Sequence, residues 1–127
     1  MGALAEVWRK PRGFVLDVLP VGLYLVALFA AGLLPLKSLP GPQISWIDKV
    51  WHLVAFAGLA MLLARALAHY RGAGPKVSLK AALASAALGG LLELLQSLTP
   101  FRSAELADMV ADGLGALLAY LVLRKLS

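Results

Sequence analysis

The chain has 127 residues, 61% of them hydrophobic and 15% charged, with no cysteine and a formal net charge of +5. Soluble domains lie nearer half apolar and a quarter charged, so a chain this small must turn its surplus apolar surface toward lipid or partners. The missing cysteines exclude disulfides, thiolate metal sites and cysteine nucleophiles. The basic excess reads as membrane orientation rather than nucleic-acid binding, and no nucleic-acid partner is expected.

In chain order, "RKPR" at residues 9–12 comes first, an orienting basic patch. The first apolar segment follows at about 14–36, with nineteen uncharged residues between Asp17 and Lys37, enough to cross the hydrocarbon. This run is too long for a typical signal peptide and reads as an uncleaved anchor. Pro20 falls early in it, where a missing amide donor costs little or produces a mild kink. "PLKSLPGPQ" breaks helicity. A second segment covers about 48–68, "HYRGAGPK" makes a polar turn, and the third and fourth cover about 79–98 and 105–123. The runs are rich in Leu and Ala and lack period-two alternation. The expectation is an all-α protein: one domain, residues 1–127, forming a bundle of four transmembrane helices.

Basic residues orient it. An even number of spans places both termini and the middle turn on one side. That side carries Arg9, Lys10, Arg12, Arg65, Arg71, Lys76, Lys80, Arg124 and Lys125, nine of the twelve basic residues. Lys37, Lys49 and Arg102 fall opposite. The imbalance predicts cytoplasmic termini. Trp8, Trp46, Trp51, Tyr70 and Tyr120 lie near span ends, as interfacial aromatics do.

The anomaly is "ELLQSLTPFRSAELADMVAD" at 93–112, polar groups between two apolar runs. Glu93 and Gln96 are spaced i, i+3; Asp108 and Asp112 are spaced i, i+4, as are Asp48 and His52 on the second span, so each pair shares a helix face. At about 1.5 Å per residue, Glu93 lies roughly 8 Å below its helix end and Asp112 roughly 10 Å below its helix start. An intramembrane acid costs about 2.5–3.5 kcal/mol even on lenient scales, so these acids are expected to face one another or a wet cavity. Ala82, Ala86, Gly89 and Gly90 on the third span, with Gly115 and Ala119 on the fourth, would allow close helix approach beneath them.

Four readings follow from these residue types. As a binding site, drawing on Asp48, Lys49, Gln96, Arg102 and Asp108, Lys49 and Arg102 would hold a phosphate or carboxylate head group while the acids meet amines or a cation. As an enzyme, Glu93, Asp112 and an Asp48-oriented His52 would serve as general acid or base on an envelope lipid or peptide. As a structural network, the same charges would set helix register, with His52 bonded to Asp48. As a metal site, His52 with Glu93, Asp108 and Asp112 would supply one imidazole and three carboxylates, but no HExxH or comparable spacing exists, and no metal or other cofactor is assigned. Ser103 reads as an N-cap of the fourth helix. A channel fits poorly, since four short helices make a narrow path unless the chain forms a homo-oligomer.

"DKVWHLVAFAGLAMLLA" and "ELLQSLTPFRSAELADMVADGLGALLAY" together resemble the VanZ-like family of small bacterial membrane proteins. By that resemblance Asp48, Lys49, His52, Glu93, Gln96, Arg102, Asp108 and Gly115 occupy the family's motif positions. Asp112 stands where Asn is usual, and Ala119 where a second Gly is common. The founding member is associated with resistance to the glycopeptide antibiotic teicoplanin, without a change in the peptidoglycan precursor terminus. The resemblance therefore implies a bacterial cytoplasmic-membrane protein whose site faces the outer side, with membrane lipids and an envelope lipid or peptide as partners.

Overall fold

A computed structural model describes residues 2–34, 45–100 and 106–126, the side chains of 45, 46 and 48 excepted. Every regular element among them is a helix: α1 (Gly2–Arg9), α2 (Phe14–Asp17), α3 (Leu19–Leu33), α4 (Ser45–Arg71), α5 (Pro75–Ser97) and α6 (Leu106–Leu126). Four stretches are long and apolar enough to cross a membrane: Phe14–Leu33, Lys49–Arg71, Pro75–Ser97 and Leu106–Leu126.

Local chemistry explains the boundaries. Pro20 has no amide proton to give the Leu16 carbonyl, so the first span breaks at Val18 and resumes with the proline in the first turn of α3. The Arg12 guanidinium donates to the orphaned Leu16 oxygen at 3.3 Å instead. The second span continues past its expected end at 68 to Arg71, where Gly72 with φ 79° turns the chain. The third begins at Pro75 rather than 79, because proline's fixed φ suits a helix start. The fourth runs on from its expected end at 123 to Leu126.

Helices α4, α5 and α6 pack most extensively on one another, and α3 leans on α4 and α5 over a smaller area. Close contact requires glycine at one crossing. A Cβ at Gly115 would lie 2.2 Å from the Leu53 carbonyl oxygen, so α6 rests directly on the backbone of α4. Phe56, Leu59 and Leu92 form the core under Tyr24, Leu28 and Phe29 of the first span. Ser85 is fully buried and donates to the Phe56 carbonyl at 2.8 Å, which removes the penalty of its hydroxyl and ties α5 to α4.

The burial pattern is inverted relative to a water-soluble bundle. Leu23, Val26, Val54, Leu83, Leu94 and Val122 point outward, whereas Asp17, Arg65, Glu93, Gln96, Asp108 and Asp112 are buried. Lipid accepts the outer face, and the interior must satisfy the polar groups itself.

Candidate functional site

One polar cluster lies toward the end of the bundle opposite the termini. His52 comes from α4, Glu93 from α5, and Asp108 and Asp112 from α6. The i, i+4 spacing of the two aspartates stacks them on one face, and together they grip one imidazole. His52 Nδ1 lies 2.8 Å from Asp112 Oδ1, and Nε2 lies 3.6 Å from Asp108 Oδ2. Lys49, one turn before His52, is paired with Asp108. Glu93 is 2% exposed and Asp112 1%, so neither carboxylate is bathed by solvent.

Gly89 explains how Asp112 reaches this depth against α5. A Cβ there would stand 2.8 Å from both Cβ and Oδ2 of Asp112. The glycine is therefore a notch that receives the aspartate, one turn before Glu93. As a result, single ligating atoms of His52, Glu93 and Asp112 all lie within 4.8 Å of one another.

A crevice of about 200 Å³ opens beside the cluster, lined by Leu28 and Gly32 of α3, Trp51 and His52 of α4, and Leu92 and Gln96 of α5. Its wall is mostly apolar. Its lining includes the His52 ring and the Gln96 amide. Gln96 donates through Nε2 to the Gly32 carbonyl at 2.9 Å, which fixes the amide and leaves buried Oε1 with no hydrogen-bond donor among the described residues.

Of the residues expected at the site, His52, Glu93, Asp108 and Asp112 come together, with Lys49 on their flank and Gln96 at the crevice. Arg102 and Ser103 lie outside the described residues, as does the Asp48 side chain. The described carboxylate partners of His52 are Asp112 and Asp108.

A second cluster lies at the end carrying the termini, and sequence reasoning passed over it. Asp17, 1% exposed, accepts from the Arg12 backbone amide at 2.8 Å, from Arg12 Nε at 3.0 Å and from Arg65 Nε at 2.9 Å, and meets His69 Nδ1 at 3.1 Å. Arg65 also donates to the Lys10 carbonyl at 2.6 Å and lies 5.7 Å from the Trp8 ring centroid. Far from being a surface charge that only orients the chain, Arg65 is 2% exposed. It clamps the head of the first span to α4.

An inside-out helical bundle with a buried acid–histidine cluster spanning three helices is a multi-pass membrane protein. Residues 23–127 match the VanZ/LLP1 family, and the chain belongs to that family. Neither the curated proteins nor the solved structures contain a match.

Proposed function

We propose that the protein binds an amphiphilic component of the bacterial cell envelope, with its head at His52 and Gln96 and its chain along the crevice beside the first span. One observation carries this reading: a mostly apolar crevice whose lining includes an imidazole and a glutamine with a buried amide acceptor. Amphiphile sites combine these features, since the apolar wall gives area and the few polar groups give orientation. The excess of basic residues at the end carrying the termini supports cytoplasmic termini in the bacterial cytoplasmic membrane, which turns the crevice toward the outer leaflet. Envelope lipids, lipid-linked precursors and glycopeptide antibiotics are the candidate sources of such a molecule, the last through the resemblance of the motifs. A single cysteine at Gly74 in this cysteine-free chain would then react only from the cytoplasmic side.

Native mass spectrometry of protein purified in mild detergent tests the binding reading. A retained lipid mass is expected in the wild type and is expected to vanish in Leu28→Trp, which fills the crevice, and to weaken in Gln96→Ala. Equal retention in all three would sink it.

A membrane-embedded hydrolase or transferase is the second reading, favoured by the His52–Asp112 contact, which orients an imidazole as an acid or base needs. Loss of turnover in Glu93→Gln with ligand binding intact would select it over binding alone.

A further inference from the structure

We infer that His52, Glu93 and Asp112 form a site for a divalent metal cation, whether or not an amphiphile occupies the crevice. The three residues arrive from three helices, and one ligating atom of each falls within 4.8 Å of the other two. One imidazole and two carboxylates form a donor set that suits first-row divalent ions such as Mn²⁺ and Zn²⁺. The 2.8 Å separation of His52 Nδ1 and Asp112 Oδ1 matches two ligands about 90° apart at roughly 2.0–2.1 Å from a six-coordinate ion. A tetrahedral ion would ask the pair to spread by about half an ångström.

Three features around the trio point the same way. Asp108 lies 3.6 Å from the other ring nitrogen, Nε2, on the side of the imidazole away from Asp112, where a carboxylate can support a metal-bound histidine. Gly89 provides the recess without which the Asp112 carboxylate would be pushed away from Glu93. Gln96, one turn beyond Glu93 and 6% exposed, keeps its Oε1 as a buried acceptor with no donor among the described residues. Water on a cation is a strong donor and would meet that acceptor from the crevice.

The cation takes the place of the proton between Nδ1 and Oδ1, and that proton leaves to water. The remaining coordination positions go to water or to an anionic head group in the crevice.

The test uses full-length protein in detergent, stripped with EDTA, equilibrated with Mn²⁺ or Zn²⁺ alone, desalted and measured by elemental mass spectrometry and calorimetry. About one equivalent per chain is expected in the wild type and in the exposed-surface control Lys10→Ala. Affinity is expected to fall by at least about tenfold in His52→Ala, Glu93→Gln and Asp112→Asn. Gly89→Ala keeps every ligand but displaces Asp112, and is expected to weaken binding likewise, so the inference does not hang on variants that lose a ligand. The Mn²⁺ electron-paramagnetic-resonance signal is expected to show histidine nitrogen coupling that disappears in His52→Ala. Wild-type protein that retains no metal, or variants that bind as tightly as the wild type while eluting as folded monodisperse protein, would overturn it.

Discussion

The two polar clusters of this bundle solve the same problem in opposite ways. At the end carrying the termini, a single buried carboxylate, Asp17, is surrounded by donors: two from Arg12, two from Arg65 and the ring of His69. At the opposite end, among the described residues, Asp108 and Asp112 pair with one imidazole and one lysine, and Glu93 lies close by. The first arrangement over-satisfies its acid, closes on itself and joins the first span to α4. The second gathers acids around the edge of a crevice. Burial alone does not distinguish the two clusters; among the described residues they differ in the ratio of acids to donors and in the crevice that adjoins the second.

The contrast predicts that the Asp17 clamp governs stability and that the His52 cluster contributes little to it. The largest effect is expected at Arg65: replacement by methionine leaves Asp17 buried without its main cation and should cost about 3–5 kcal/mol, measured by denaturant titration of protein in detergent. Adding Asp17→Leu to that variant should restore much of the loss, because an apolar pair replaces a buried ion pair at little net cost. A double variant no better than the single would dissolve the distinction. Next comes Gly115→Ala, whose methyl collides with the Leu53 carbonyl and should destabilise by about 1–3 kcal/mol as α4 and α6 are forced apart. Gln96→Ala loses the bond to Gly32 and should cost about 1 kcal/mol, with faster amide exchange in the last turn of α3. The smallest effect is expected at Lys10→Ala, within about 0.5 kcal/mol, since its pair with Glu6 is exposed. Against this series, Glu93→Gln sharpens the comparison: removing one of the crowded acids should leave the unfolding midpoint level or raise it. A fall as large as that of Arg65→Met would make the His52 cluster a second clamp.

Helix number and most of the polar site were legible because their signals are local. Uninterrupted apolar length announces a span, and Glu93, Asp108 and Asp112 stand out as acids flanked by Leu, Ala and Gly. Their spacing even indicates a shared face. Helix ends were less legible, because Pro75 and Gly72 act on the backbone rather than through hydropathy. The clamp was missed for a different reason. Asp17 and Arg65 are 48 positions apart, and each has an innocent explanation on its own, one as a boundary residue and the other as an orienting charge. A usable signal did exist: Arg65 lies six residues, or about 9 Å, inside the end of α4, too deep for a surface charge without a partner. The seat of Asp112 was equally hidden, since nothing in the spacing shows that Gly89 is its socket.

The contact of Gly115 on the Leu53 carbonyl has a mechanical consequence. At this crossing α4 and α6 have no side chain between them to compress, which fixes their separation within one turn of His52 and Asp112. The first span, which supplies Leu28 and Gly32 to the crevice, is tied to the bundle by Asp17 on Arg65, by the Tyr24 hydroxyl on the Ala55 carbonyl and by the Gln96 amide on the Gly32 carbonyl. Widening the crevice by moving α3 would break the Tyr24 and Gln96 bonds together, and with them the packing of Leu28 and Phe29 on the core.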